Sequence, residues 1–323
     1  MVAMAQVVWA ATVASPPAPA AASRLAGIIE IAPYAELSAK ATAFGMLIGN
    51  PIVPTLLLAS VQQSAMSTYG SFRTDAPIYL ASYQVAPDRS EEVVVYPSVD
   101  RIARMALVNP GSERQGKDVL HLLPTERRPH ERYAVFSGNG QFAAFASSVE
   151  LARRALDDCR PGGKAAWPLA RVALHRPGVL TICQSIQKAG VTNLIDVVRG
   201  FDRLELALDL TARGLALAFS GRMGAARPPA ELQRTLEGVL KETFKGMAGE
   251  GEAQGPTITV AADKSGVVSG EILIPEAKLR SMGKDFNSFV AAQMSGALSG
   301  ETDGKGKQDK MGKKGAKPKE RRK

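Results

Sequence analysis

The stretch from Phe201 to Met223 restricts the fold more than any other, because two runs of alternating side chains flank a short turn. The apolar positions of the first run are Leu204, Leu206, Leu208 and Leu210. Those of the second run are Leu215, Leu217 and Phe219, and Gly214 between the runs tolerates a positive φ. Successive side chains of a strand point to opposite faces, so the pattern predicts an antiparallel hairpin with one apolar face. Such a hairpin requires a core but specifies no chemistry.

Two further hairpins are predicted by the same reasoning, and a helix is predicted after each of the three. The second hairpin spans 133–145 with a turn at 138–140, and the third spans 257–274 with a turn at 263–266. Short loops force antiparallel pairing, and helices that follow hairpins cover one face of a sheet. The sequence therefore predicts an α+β fold with antiparallel sheets, built from repeated β-hairpin–helix units in two pseudo-repeated halves.

The composition along the chain predicts four segments. A leader rich in Ala and Pro occupies residues 1–23, and the first α+β half covers 24–160. A boundary rich in Pro and Gly follows, and the second α+β half covers 164–298. The last segment, 299–323, is a basic tail of low complexity, whose composition is typical of disorder.

The longest uncharged span of the chain, Ala41–Phe72, predicts a pair of helices. Asn50 and Pro51 interrupt the apolar run, so we expect two buried helices at about 33–49 and 54–69. Two alternatives stay open for this region. One is a hairpin embedded in a membrane, and the other is a groove between the helices that binds an apolar ligand.

The leader resembles a secretory signal peptide that lacks its basic first region. It contains no charged side chain, and the apolar run Val7–Val13 precedes small residues at Ala18–Ala22. We expect export to the periplasm or beyond, with cleavage between about Ala14 and Ser23. A disordered leader on a cytoplasmic protein is the alternative.

The two cysteines, Cys159 and Cys183, lie in different sequence contexts. Cys159 belongs to a polar segment, whereas Cys183 belongs to an apolar stretch, 179–198, that predicts a single helix. No C-x-x-C motif is present, so the pattern of a zinc ribbon or a redox pair is missing. Two free, buried thiols are expected, and a disulfide between them is the alternative.

Two glycine-containing segments approach known nucleotide-binding motifs without matching them. In Gly111–Asp118 an Asp replaces the Ser or Thr that a phosphate-binding loop uses for Mg²⁺. The segment Gly138–Ala143 lies in a predicted hairpin turn, where no helix begins to receive a pyrophosphate. The histidines, which do not lie at metal-ligand spacing, are His121, His130 and His175. We therefore predict a protein that is not an enzyme, with no catalytic, cofactor-binding or metal-binding residue.

The tail concentrates the positive charge of the chain. Residues 301–323 have a net charge of +6, out of +9 for the whole chain. The candidate contacts for polyanions, nucleic acid or anionic lipid, are Lys305, Lys307, Lys310, Lys313, Lys314, Lys317, Lys319, Arg321, Arg322 and Lys323. The tail contains no aromatic residue to stack on bases, so contact with nucleic acid would be independent of sequence.

The segments Tyr133–Leu156 and Phe201–Met223 together resemble a family of uncharacterised exported bacterial proteins, a domain of unknown function. Its members are built from repeated β-hairpin–helix units, and the resemblance covers roughly residues 25–295. It implies a periplasmic or envelope location and a role without catalysis. It implies no functional residue at any position of this chain.

Three functions are compatible with these observations. The first is a binding or structural role in the bacterial cell envelope, without catalysis. The second is a cytoplasmic protein that associates with nucleic acid or ribosomes through the basic tail. The third is a carrier of an apolar ligand, which would use the uncharged helices.

Overall fold

The computed structural model describes residues 23–50, 52–87, 89–123, 130–160, 167–188, 195–224, 228–245 and 255–284. The strands are β1 Arg24–Ile31, β2 Ile78–Ala86, β3 Arg89–Tyr96, β4 Glu113–Gln115, β5 Val119–His121, β6 Tyr133–Phe136, β7 Ala143–Ala146, β8 Ala170–His175, β9 Phe201–Thr211, β10 Gly214–Met223, β11 Thr257–Ala262 and β12 Val267–Pro275. The helices are α1 Tyr34–Leu47, α2 Ile52–Tyr69, α3 Ile102–Val108, α4 Val149–Asp158, α5 Arg176–Lys188, α6 Ile195–Arg199, α7 Pro229–Phe244 and α8 at 276–284.

All these strands belong to one antiparallel sheet. Their order is β11-β12-β10-β9-β8-β1-β2-β3-β7-β6-β5-β4. The strands of 24–160 and those of the second half meet at the centre, where Ile28 pairs with Ala173 and Ile31 pairs with Ala170. The α+β class with an antiparallel sheet is therefore confirmed.

The predicted antiparallel hairpin of β9 and β10 is confirmed. Leu208 lies opposite Leu217, and Leu210 lies opposite Leu215, so the apolar side chains share one face. Gly214 closes the turn with a φ of +137°, and a Cβ atom there would lie 2.1 Å from the carbonyl oxygen of Ile274. Only glycine fits both the conformation and the space.

Three apolar clusters use both faces of the sheet. In β3, Val93 and Val95 pack in a cluster beneath α4, whereas Tyr96 packs in a second cluster on the opposite face with Met105 of α3. The third cluster joins α5 and α7 to the strands of the second half. Its fully or nearly fully buried members include Val179, Leu204, Leu232, Leu236 and Val268.

One predicted helix is divided in the structure. The stretch predicted as a single helix at 179–198 contains α5 and α6, with residues 189–194 outside the description. The two helices contact each other at their buried sides, where the Cys183 thiol lies 3.8 Å from the carbonyl oxygen of Ile195.

Candidate functional site

The two helices α1 and α2, residues 34–69, form the helical hairpin that we consider the candidate site. The chain turns between them at Gly49, whose φ is +71°, and the backbone N–H of Asn50 donates to the carbonyl of Gly45. Pro54 falls in the first turn of α2, where the missing N–H leaves no intrahelical bond unmade. The predicted break at Asn50-Pro51 is therefore confirmed.

The expectation that these helices are buried is wrong. In α1 only Gly45 is buried, and none of the described side chains of α2 is buried. Four large apolar side chains keep 63–65% of their surface exposed: Met46, Ile52, Leu56 and Val61. The helices pack against each other but leave most of their outer surface to solvent.

Exposed apolar side chains occur on more than one side of α2. Ile52 and Leu56 lie four residues apart and share a face. Val61 follows Ile52 by nine residues, which corresponds to about 900° of helical rotation and places it on the opposite side. A surface helix of a soluble domain normally has one apolar stripe, and a helix that is apolar all round is normally enclosed. This distribution favoured burial of α2, so the sequence contained no signal that distinguished α2 from a core helix.

The C-terminal base of the helical hairpin is firmly attached to the sheet. The ring centroid of Tyr69 lies 4.7 Å from that of Phe145 and 5.4 Å from that of Tyr96. The backbone N–H of Ser71 donates to Oδ2 of the buried Asp100 at 2.8 Å. The hydroxyl of Tyr96 donates to the carbonyl of Gly70 at 3.1 Å. These contacts fix where α2 ends.

Helix α1 is attached at its start, where the ring centroid of Tyr34 lies 5.9 Å from that of Phe72, and at two further points. Midway along it, Nζ of Lys40 contacts Oδ1 of Asp209 at 2.5 Å and donates to the carbonyl of Trp167. At its end, Ile48 packs against α8, where a Cβ atom added to Gly283 would lie 2.5 Å from the carbonyl oxygen of Ile48. The turn of the helical hairpin therefore lies beside the last described helix.

A cavity of about 330 Å³ lies elsewhere, next to the turn between β6 and β7. Its lining includes Val95, Asn139, Phe142, Cys159 and Arg160. Desolvation, with smaller contributions from neighbouring acids, raises the pKa of Cys159 to about 12. A thiol with that pKa stays protonated at neutral pH and is a poor nucleophile.

Two of the histidines, His121 and His175, lie far apart. His121 of β5 stacks on Tyr133 at 5.2 Å, and His175 lies on β8, six strand positions away. At the usual strand spacing that separation is roughly 29 Å. Burial, and then the charge of Arg203, lower the pKa of His175.

Both near-motifs lie at turns, and the hairpin turn predicted at 138–140 is confirmed. Gly111 and Gly116, both with positive φ, flank β4, and β5 follows rather than a helix. Gly138 and Gly140 lie in the turn between β6 and β7. Neither segment leads into a helix N-terminus, which is where a nucleotide phosphate binds in the corresponding motifs.

Several predicted residues lie outside the described part of the chain. They include the leader up to residue 22 and the ten candidate basic contacts between Lys305 and Lys323. The cysteines are described, and both are buried and free. Among the described residues, no cluster of His, Cys, Asp or Glu has the arrangement of a metal site. No described helix combines the length and the apolar character needed to cross a bilayer.

Comparison with models of protein families gives no match, and comparison with curated protein sequences gives none either. Among solved structures, crystal form III of TP0453 superposes with a TM-score of 0.42 and 13% identity, covering 84% of this chain and 99% of that chain. Crystal form I of TP0453 gives a TM-score of 0.40 and 11% identity, with coverage of 84% and 98%. Similarity at this level carries no functional assignment.

Proposed function

We propose that this chain is an exported protein without catalytic activity, which attaches to a lipid surface of the cell envelope through the helical hairpin. The observation that carries the proposal is the exposure of large apolar side chains on a hairpin that has no charge between Ala41 and Phe72. Lipid is the partner that matches this surface, because a bilayer interface accepts apolar side chains over a broad area without a complementary protein shape.

The energy available from this surface supports a weak and reversible attachment. Full burial of one large aliphatic side chain contributes about 1.5–3 kcal/mol. The four side chains named above are about two thirds exposed, so their transfer contributes roughly 4–8 kcal/mol in total. A single myristoyl chain, with an association constant of about 10⁴ M⁻¹, gives a similar, marginal affinity.

The contacts of Ser23, the first described residue, are compatible with removal of the leader. Ser23 is buried, and both its carbonyl oxygen and its hydroxyl accept hydrogen bonds from Nη1 of Arg154. Cleavage before Ser23 would thus leave the attachment of the first strand intact. Mass spectrometry of the protein from its native host tests this: a terminus between about Ala14 and Ser23 supports export, and an intact Met1 argues against it.

Flotation with vesicles of phosphatidylcholine tests the lipid contact. We expect the full chain to float with the vesicles and the double variant Leu56→Glu, Val61→Glu to bind at least about tenfold more weakly, since each buried side chain is worth more than 1.4 kcal/mol. The control is Leu180→Glu on α5, which changes an exposed leucine outside the hairpin and should not alter flotation. Equal flotation of all three proteins would contradict the proposal.

A second candidate function is supported by the charge of the tail. A cytoplasmic protein could bind nucleic acid or ribosomes through residues 299–323, whose Lys and Arg side chains would neutralise phosphates. Binding to duplex DNA would then weaken steeply with salt and disappear when the tail is removed. Binding that persists without the tail would exclude this function.

We also infer that the two halves are structural repeats. Each begins with a central strand, β1 or β8, followed by two helices and an antiparallel strand pair. Each then adds a later hairpin whose second strand, β7 or β12, pairs with the earlier strand pair. This shared order supports duplication, and an experimental structure in which the halves superpose poorly would argue against it.

A further inference from the structure

We propose that β11 pairs with β11 of a second copy of this chain across a two-fold axis, so that the protein is a dimer. Strand β11 lies at one end of the sheet and pairs with β12 on its inner side. Within the described part of the chain, nothing hydrogen-bonds to the outer edge of β11. This pairing is independent of the lipid contact of the helical hairpin, so either proposal can fail without the other.

The bonding pattern between β11 and β12 determines which backbone groups point outward. The N–H of Asp263 donates to the carbonyl of Val267, directly beyond the last pair of the ladder, Ala262 with Val268. Hydrogen-bonded and non-hydrogen-bonded pairs alternate along an antiparallel ladder. The odd-numbered residues of β11 therefore bond to β12, and the even-numbered residues direct both N–H and C=O away from the sheet. These outward-directed residues are Ile258, Val260 and Ala262.

The sequence of β11 has none of the features that protect an edge strand from pairing. It contains 6 residues, none of them charged and none of them proline, and its pairing with β12 has no bulge. Natural edge strands are usually protected by charge, proline, a bulge or short length. The other edge strand, β4, is protected in this way, since its 3 exposed residues include Glu113 and Arg114. Pairing through β11 therefore stops at two copies.

The outer edge of β11 is complementary to itself. With the two-fold axis at Val260, each Val260 lies opposite its counterpart, and Ile258 lies opposite Ala262 of the second copy. The outward groups then form about six backbone hydrogen bonds. Ile258 and Val260 belong to the apolar cluster beneath α7, so the apolar face of the sheet continues into the second copy.

The absence of charge favours a second copy over a strand of another protein. Charged groups at an edge would select a partner of opposite charge, and β11 has none. In the two-fold pair, the exposed Thr259 lies opposite Ala261 of the second copy, and Thr257 lies opposite Asp263. No position brings like charges together, so the pairing has no electrostatic cost of that kind.

The facing positions 259 and 261 allow a test that leaves each folded chain intact, because both side chains are exposed. The variant Thr259→Lys, Ala261→Lys places lysine opposite lysine in the dimer. The variant Thr259→Lys, Ala261→Glu places lysine opposite glutamate. Ser269→Lys is the control, because Ser269 is an exposed residue of β12 that lies one strand away from the interface.

Light scattering of the full-length proteins measures the outcome. We expect the wild type to have the mass of two chains at about 100 µM. The variant with facing lysines should dissociate at least about tenfold more readily, because like charges directly opposite each other repel. The variant with lysine opposite glutamate and the Ser269→Lys control should dimerise at least as well as the wild type.

Oxidative crosslinking tests the register. Positions 259 and 261 form a non-hydrogen-bonded pair across the interface, with Cα atoms about 4.5 Å apart, which suits a disulfide. A mixture of Thr259→Cys chains and Ala261→Cys chains should therefore crosslink one variant to the other, and each variant alone should crosslink less. The native Cys159 and Cys183 are buried and free, so they do not compete.

Three results would overturn the proposal. The first is a wild type with the mass of one chain, or of more than two chains, at about 100 µM. The second is a variant with facing lysines that dimerises like the wild type. The third is a variant with lysine opposite glutamate that dissociates as readily as the variant with facing lysines, since the two differ only in the sign of the charge at position 261.

Discussion

The helical hairpin of α1 and α2 and the helix pair of α5 and α6 occupy corresponding places in the chain. Each follows a central strand, β1 or β8, and precedes a long antiparallel strand, β2 or β9. The burial of the two pairs differs. Helix α5 buries Val179 and Cys183 completely or nearly so, whereas α2 has no buried side chain among those described.

The difference in burial shows which helices cover the apolar faces of the sheet. Helix α5 lies so close to β1 that a Cβ atom on Gly178 would be 2.2 Å from the carbonyl oxygen of Ala26. Its outward side chains, such as Leu180 and Thr181, are exposed, so α5 has one apolar stripe and one open face. The helical hairpin lacks that division, and the attachments identified between it and the rest of the described chain lie towards its ends and at Lys40. Its apolar surface is therefore available to a partner.

The largest expected effect comes from placing the same charge on the two helix pairs. Val179→Glu introduces an unpaired charge at a fully buried site and should lower the free energy of unfolding by at least about 3 kcal/mol. Leu56→Glu, on the exposed hairpin, should change it by less than about 0.5 kcal/mol. Urea denaturation of both variants measures the contrast, and a large loss for Leu56→Glu would mean that the hairpin is covered in solution.

The second effect is a difference in stability between a substitution at the attached base of the helical hairpin and one at its exposed surface. Tyr69→Ala removes two ring contacts and a hydrogen bond from the Tyr69 hydroxyl to Glu131, and should cost about 2 kcal/mol. Met66→Ala, one turn earlier, should cost less than about 0.5 kcal/mol, because Met66 is exposed. Similar losses in thermal denaturation for both variants would contradict an attachment limited to the base.

The third effect is a loss of stability at alkaline pH. It arises from Cys159 beside the sheet and not from the helical hairpin. Desolvation raises the pKa of Cys159 to about 12, so its folded form keeps the proton while an unfolded thiol releases it above about pH 9. Stability is thus fully present below pH 9 and is lost as pH rises toward 12. From pH 9 to pH 10 this thiol should cost about 1 kcal/mol.

Denaturation of the wild type and of Cys159→Ala across this interval isolates the contribution, because both proteins share every other titrating group. A loss of stability with the same slope in both would contradict it. The span from Ala41 to Thr68 contains no titratable side chain, so hairpin variants should show the wild-type slope.

The smallest effect is expected at the attachment of α1. Lys40→Met removes the ion pair with Asp209 and the hydrogen bond to Trp167, and should cost about 1 kcal/mol because both partners remain partly exposed. Hydrogen exchange should accelerate in α1 but not in α5. Faster exchange in both helix pairs would show that the attachment stabilises the whole protein rather than the hairpin.

The elements that alternate or repeat regularly were predictable from the sequence. The register of β9 and β10 follows from the positions of Leu208 and Leu217 on either side of a turn that requires Gly214. The hairpin of β6 and β7 and the start of α7 at Pro229 follow from similarly local rules. These features depend on near neighbours in the chain, so a single sequence is sufficient to predict them.

The exposure of the helical hairpin was not predictable from local pattern. The apolar content of α2 is the same whether the helix lies in a core or on a surface, and the sequence favoured burial. The packing of helices on the sheet decides whether α2 is buried or exposed. The sheet already covers its faces with α4, α5 and α7, and among the described side chains of α2 it is Ala65 and Tyr69 that pack against a core cluster. The order of twelve strands, which leaves the hairpin outside, depends on contacts between distant residues.

The pairing of β1 with β8 has a consequence for the chain during its synthesis. Ile31 ends β1 and Ala170 begins β8, so ribosomal elongation at about 5–20 residues per second reaches the first residue of β8 roughly 7–28 s after β1 has been made. Until then one edge of β1, with Ile28, Ile29 and Ile31, has unmatched backbone N–H and C=O groups and is open to wrong pairing. A nascent chain of this design is a natural client for a holding chaperone, which would keep that edge apart until its second half emerges.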